Sequence, residues 1–129
     1  MKAATARFHS MEQARNACYV EDTHCVAHPT LGGMGYHWGQ QRAGRSGLPT
    51  RASRGFLLYS PDQQGSPKLA AVEYIVIDVG QPAPKFRGYP FDVGGTPVPV
   101  PHWSLHVWLH RANPSGVFKP FNPAVVCPN

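Results

Sequence analysis

Residues 101–127, PHWSLHVWLHRANPSGVFKPFNPAVVC, carry the most informative pattern in the sequence. It holds three of the seven histidines, two of the three tryptophans and the last of the three cysteines. Apolar and polar side chains alternate over His102–His110, which predicts a β-strand, because successive side chains of a strand point to opposite faces. One face carries Trp103, Leu105, Val107 and Leu109, and the other carries His102, Ser104, His106, Trp108 and His110.

Two Asn-Pro pairs follow this strand. Asn113-Pro114 and Asn122-Pro123 predict turns, since asparagine side chains bond to nearby backbone and proline fixes φ. Ala124–Cys127 then predicts a short terminal strand.

The spacing HxxxHxxxH at positions 102, 106 and 110 resembles a run of metal ligands. On a strand, however, residues four apart are separated by roughly 13 Å. Two such side chains cannot both reach one zinc ion at about 2.1 Å. The preceding prolines and the Trp and Val content favour a strand over a helix, so at most one or two of these histidines serve one site.

Glu73 interrupts the most apolar segment of the chain. LAAVEYIVIDV, residues 69–79, is the strongest predicted strand, and with FLLYS at 56–60 it predicts an antiparallel hairpin. Glu73 shares a face with Ala71, Ile75, Ile77 and Val79. A carboxylate in such surroundings needs an Arg, a His, a hydrogen-bond cluster or a metal, or it takes up a proton.

The candidate site combines His37, Glu73 and His106. A His₂Glu set leaves one coordination position open, as in catalytic zinc sites and non-haem iron sites, and it predicts a divalent zinc or iron ion or a small polar ligand. Without a metal, Glu73 and His106 are a candidate general acid/base pair. The structural alternative is a set of hydrogen-bonded core imidazoles and a paired carboxylate.

The remaining segments predict an α+β fold. Ser10 and Gln13 have capping-box spacing ahead of a helix at 11–18. Residues 20–35 read as a loop, 36–38 as a short strand, the Arg-rich stretch 40–54 as a loop and 80–101 as an irregular Pro/Gly-rich excursion. The prediction is a single domain, 1–129: a short N-terminal helix followed by a mostly antiparallel sheet or small barrel with long Pro/Gly-rich loops.

The charge distribution and hydropathy limit the possible binding partners and membrane associations of the protein. The net charge is +5, but four of the twelve basic residues fall in the one loop, so a nucleic-acid groove is not indicated. No apolar run is long enough to span a membrane, because Glu73 breaks the longest one. MKAATARF has no apolar core of a signal peptide, so any export signal is missing from this chain.

The cysteines are Cys18, Cys25 and Cys127, with no CxxC pair. A Cys25–Cys127 disulfide, tying the tail to an early loop, is the favoured pairing, although spacing leaves Cys18 open. Such a bond predicts a secreted or periplasmic protein. The alternative is three free thiols in a cytosolic protein.

The chain also resembles a family of uncharacterised, mostly secreted bacterial proteins. The resemblance rests on MGYHW (34–38), FLLYSP (56–61), LAAVEYIV (69–76) and SLHVWLHRANPSGVFKPFNPAVVC (104–127), against the family patterns MGxHY, VEYxV and LHVWLxxxNPxGxFxxxNPxVxC. It implies export and one domain but no chemistry, and it supports pairing Cys25 with Cys127. It directs attention to a set of matching positions: His37, Glu73, His106, Asn113 and Asn122. Cys18, where the family has Gly, and the Arg/Gly stretch 40–54 depart from the pattern.

Two functions from different classes follow. The first is a small exported domain with a His/Glu pocket for a metal or small polar ligand, with Asn113 and Trp108 as further candidate ligand-binding residues. The second is a non-catalytic domain whose tryptophans, Trp38, Trp103 and Trp108, form an aromatic surface for a cell-envelope polymer or a partner protein. A purely structural role for the histidines is the third possibility. Whether the protein is an enzyme is left open.

Overall fold

An antiparallel sheet forms the body of the molecule. The structure is a computed structural model, and it describes residues 2–40, 53–62, 64–95, 98 and 100–128. Its strands are β1 (Tyr19–Val20), β2 (Cys25–His28), β3 (Gly32–Gln40), β4 (Ser53–Pro61), β5 (Pro67–Ile77), β6 (Lys85–Phe86), β7 (Tyr89–Pro90), β8 (Asp92–Val93) and β9 (His102–Val107). Seven of them form one sheet in the order β1-β3-β4-β5-β9-β8, with β2 also paired to β3, and β6 and β7 form a separate hairpin.

This sheet confirms the predicted α+β class, with a mostly antiparallel sheet. Every strand pair among the described residues is antiparallel. Within the same residues the order has two ends, so the sheet is open and the barrel alternative is not formed.

A helical segment precedes the sheet. It comprises α1 (Lys2–Thr5), a 3₁₀-helix (Ala6–His9) and α2 (Met11–Asn16). The predicted cap is confirmed, because the Ser10 hydroxyl accepts a hydrogen bond from the Gln13 backbone N–H at 3.3 Å. The helix ends two residues earlier than predicted, and Cys18 adopts φ 69° just after it.

The sheet is covered on both faces. On one face, Leu57, Tyr59 and Val72 pack against Phe8 and Ala14 of the helical segment. On the other, Leu58, Ala71 and Trp108 pack against Val125 of the C-terminal segment. The candidate site lies on this second face.

The predicted hairpin is confirmed and is longer than expected. β4 and β5 pair antiparallel, with Leu58 opposite Ala71 and Phe56 opposite Glu73. The predicted face alternation of β9 also holds, but the strand ends at Val107 rather than at His110. It ends there because the Trp108 N–H donates to Val117 O at 2.9 Å instead of continuing the ladder.

Four predicted loops and strands need correction. Residues 80–101 are not wholly irregular, because β6 and β7 pair with each other there and β8 pairs with β9. Residues 20–35 are not a loop, because β2 and the first half of β3 pair there. The predicted strand Ala124–Cys127 is wrong, because the tail makes a single bridge, between Gly33 and Asn122. That bridge needs glycine: a Cβ on Gly32, at φ +103°, would lie 2.2 Å from Asn122 O. In the predicted Arg-rich loop 40–54, residues 41–52 lie outside the described residues, whereas Gln40 belongs to β3, and Ser53 and Arg54 belong to β4.

The tail is fastened covalently. Cys25 and Cys127 form a disulfide with their Cα atoms 5.7 Å apart and a sequence separation of 102, which confirms the favoured pairing. Cys18 is exposed and keeps a free thiol. No helix in the described part of the chain is long and apolar enough to cross a membrane.

Candidate metal centre

The sheet register brings the three predicted ligands to one face. Glu73 of β5 lies directly opposite His106 of β9, and directly opposed residues share a face. His37 of β3 lies opposite Leu58, which lies opposite Ala71, two residues before Glu73. His37 therefore lies on the same face of the sheet as Glu73. It is separated from Glu73 by β4 and is displaced by two residues along the strand direction.

Their donor atoms converge. The Nε2 atom of His106 is 3.4 Å from Oε1 of Glu73, and the Nε2 atom of His37 is 3.5 Å from Oε2. One ligand atom from each of the three residues can be chosen so that all lie within 4.8 Å of one another. The three residues are 2%, 3% and 1% exposed for His37, Glu73 and His106 respectively.

These separations fit ligands around an ion better than they fit hydrogen bonds. A hydrogen bond to a carboxylate would bring the two atoms to about 2.7–2.9 Å. Two ligands bound tetrahedrally at about 2.0–2.2 Å lie roughly 3.4 Å apart, whereas a 90° octahedral angle brings them to roughly 3.0 Å. The observed 3.4 and 3.5 Å run to different oxygens of Glu73 and are of the size expected between ligand atoms of one ion.

Most polar side-chain atoms of the cluster have no hydrogen-bond partner among the described residues. Both ring nitrogens of His37, both of His106 and Oε2 of Glu73 are buried without a hydrogen bond to any described residue. Each such buried, unsatisfied group costs about 1–3 kcal/mol. A bound cation would compensate for three of them at once.

Burial sets the protonation of the cluster. Desolvation raises the pKa of Glu73 to about 8. It lowers the pKa of His37 to about 4, an effect that Asp22 opposes and His24 reinforces. It lowers the pKa of His106 to about 3, with a further contribution from His37. Without an ion at pH 7, the carboxyl is thus protonated and both imidazoles are neutral, which leaves nitrogen lone pairs available to a metal.

Apolar side chains surround the donors. The ring of Phe56, opposite Glu73, meets the His37 ring edge-to-face at 5.3 Å between centroids. Leu58, Ala71 and Trp108 pack together on the same face. A dry, apolar wall of this kind strengthens the interaction of a charge with its ligands.

The other two histidines of the HxxxHxxxH run lie apart from the cluster, as strand spacing predicts. The Nδ1 atom of His102 is 2.8 Å from Val100 O. The Nε2 atom of His110 is 2.9 Å from the hydroxyl of Thr5. The three histidines therefore serve three separate environments.

Asn113 and Trp108 hold the C-terminal segment. The Asn113 amide donates to Phe121 O at 3.0 Å, and its Oδ1 accepts from the Ser115 N–H at 3.0 Å. The Trp108 indole N–H donates to Lys119 O at 2.7 Å, and the side chain packs in the core. Ligand binding by these two residues stays a prediction, and the contacts that the structure shows for them are architectural.

The aromatic-surface prediction is wrong. Trp38 and Trp108 are 2% and 4% exposed, and Trp103 is half-buried. Trp38 packs on Tyr59 under the helical segment. A pocket of about 300 Å³ does open beside Trp38 and Tyr36, but on the sheet face opposite the metal ligands.

Sequence reasoning missed one acidic residue on the sheet face that carries the cluster. Asp92 lies opposite Ser104, which places it on the His106 face, and its Oδ2 is buried with no hydrogen-bond partner in the described segments. Burial raises the pKa of the Asp92 carboxyl, and Lys119 opposes that shift. β8 is two residues long inside a Pro/Gly-rich segment, so no periodicity in the sequence could have indicated its pairing.

Comparison of the chain with protein-family models, with curated proteins and with solved structures finds no match. The buried His/Glu/His group that could hold a metal ion is therefore what bears on function.

Proposed function

We propose that this chain is a divalent-metal-binding domain whose ligands are His37, Glu73 and His106, and that zinc is the preferred ion. The observation that carries the proposal is the spacing of 3.4 and 3.5 Å between the Glu73 carboxylate and two buried imidazoles, whose ring nitrogens have no hydrogen-bond partner among the described residues. Zinc is proposed because a His₂Glu set with one open position is the ligand set of catalytic zinc sites.

Three protein ligands leave one tetrahedral position for a water or a small polar ligand. Zinc lowers the pKa of a bound water to about 7, which supplies a nucleophile at neutral pH. Because no ligand residue is more than 3% exposed, only a small molecule fits this position, and a polymer chain does not.

The disulfide supports an oxidising compartment, and we propose that the protein is secreted or periplasmic. Membership of the uncharacterised secreted family belongs to the same proposal. It is supported by the motif positions, because His37, Glu73 and His106 of three separate motifs meet in one cluster.

Metal analysis of untagged protein tests the function. We expect one zinc per chain in the wild type and loss of zinc in His106→Ala. His102→Ala is the matched control, since His102 is a buried imidazole four residues away on the same face of the same strand. Zinc-free wild type, or equal zinc in the two variants, would show that these residues are not the ligands.

A further inference from the structure

A second pair of imidazoles meets on the surface, away from the buried cluster. His9 ends the 3₁₀-helix, and His110 follows β9, 101 residues later in the chain. The Nε2 atom of His9 is 3.1 Å from Nδ1 of His110. The rings stand at 81° with their centroids 4.6 Å apart. His9 is exposed and His110 half-buried, so the facing nitrogens are within reach of solvent.

Thr5 holds the His110 ring from its far side, because its hydroxyl lies 2.9 Å from Nε2 of His110 and 3.2 Å from Lys2 O. When the hydroxyl proton is donated to Lys2 O, the hydroxyl accepts from Nε2–H of His110. In that tautomer Nδ1 presents its lone pair to His9, whose Nε2 is within hydrogen-bonding distance at 3.1 Å. An outer hydrogen bond that holds the ring and directs its free nitrogen is the usual support of a ligating histidine.

We propose that His9 and His110 form a second transition-metal site, open to solvent, that takes Cu(II). The 3.1 Å separation lies between the roughly 2.8 Å of two nitrogens at 90° and the roughly 3.3 Å of a tetrahedral pair at bonds of about 2.0 Å. Cu(II) binds nitrogen ligands most tightly among the divalent first-row ions and accepts a planar set completed by waters.

The site joins two distant parts of the chain. The backbone N–H of His110 donates to Ala70 O at 3.0 Å, so this imidazole is anchored to β5, whereas His9 belongs to the N-terminal helical segment. A bound ion bridges the two and holds the segment on the sheet. Lys2 adds a like-charge interaction at His110, so we expect weaker binding here than at the buried cluster.

The test uses the ¹⁵N-labelled full chain titrated with less than one equivalent of Cu(II), because paramagnetic broadening reports the position of the ion residue by residue. We expect the amide signals of Thr5, His9 and His110 to broaden together. An ion in the buried cluster would instead broaden the signals around His37 and Glu73, so the two sites are read separately.

The decisive variant is His9→Gln, which changes an exposed side chain and should leave the dispersed spectrum intact. It should need at least about tenfold more Cu(II) for the same broadening at Thr5, since one of two ligands is gone. His24→Gln, an exposed imidazole outside the pair, is the matched control and should titrate as the wild type does. Sharp Thr5 and His110 signals in the wild type, or unchanged broadening in His9→Gln, would overturn the proposal.

Discussion

Replacing Glu73 with glutamine separates metal binding from folding. Glutamine has nearly the shape of the protonated carboxyl that burial favours at neutral pH, where the pKa of Glu73 is raised to about 8. The metal-free variant should therefore unfold within about 1 kcal/mol of the wild type, because no cavity or buried charge is created. Its metal affinity should fall by more than about 100-fold, since even outer-shell changes cost 10- to 100-fold.

These values set the size of the effect. At a free zinc concentration of about 100 times the wild-type Kd, binding adds about 2.7 kcal/mol to the free energy of unfolding. For 129 residues the unfolding entropy is about 0.27 kcal/mol/K, so the midpoint temperature should rise by about 10 °C. In Glu73→Gln at the same zinc concentration, a Kd 100-fold higher leaves about 0.4 kcal/mol, or about 1–2 °C.

Thermal unfolding followed by circular dichroism, with and without zinc, gives both numbers. Glu12→Gln is the matched control, because Glu12 is an exposed carboxylate in the first turn of α2, and it should keep the full zinc shift. Equal zinc shifts in Glu73→Gln and in the wild type would refute the assignment of Glu73 as a ligand.

Three further perturbations test the rest of the account. The free energy of unfolding of the metal-free protein should rise from about pH 4 to 6.5, because His37 and His106 bind protons in the unfolded chain but not in the folded one. It should fall from about pH 6.5 to 8, because the folded protein keeps a proton on Glu73 that the unfolded chain has lost. Urea unfolding measured across this pH range should show the maximum, and Glu73→Gln should abolish the fall. Replacing both Cys25 and Cys127 with alanine should lower the free energy of unfolding, measured in urea, by about 2–5 kcal/mol, because the disulfide closes a loop of about 100 residues. A loss below about 0.5 kcal/mol would show that the other contacts of the C-terminal segment hold it in place. Tyr59→Phe should cost about 1–2 kcal/mol, since the buried hydroxyl donates to the Phe8 carbonyl; unchanged stability together with unchanged proteolysis of the N-terminal segment would contradict that contact.

The site could be predicted because strand alternation is a local property. The polar row of β9 and the isolated Glu73 on an apolar strand are visible in sequence, and strand spacing singles out His106 from its neighbours. The register that places Glu73 opposite His106 depends on pairing between β5 and β9, which are distant in the sequence. The alternation of each strand allows this register but does not select it.

The incorrect predictions have a common cause. β2 and the bridge at Asn122 both pair with the glycine-rich strand β3. Their pairing depends on β3 and is not indicated by the residues of β2 or of the C-terminal segment. Trp38 follows His37, and Trp108 falls on the same predicted strand face as His106 and His110, but both tryptophans lie under the helical and C-terminal segments, and burial of this kind is decided by tertiary packing. Asp92 went unnoticed for the same reason.

X-ray absorption at the zinc edge of the untagged, purified full chain shows directly whether His37, Glu73 and His106 hold the metal. We expect one zinc per chain with only nitrogen and oxygen neighbours at about 2.0–2.1 Å and the scattering of two imidazoles, from His37 and His106. A shell at about 2.3 Å would place sulfur, and hence Cys18, on the metal. That result, or a chain that retains no metal, would show that the three residues are not the metal ligands.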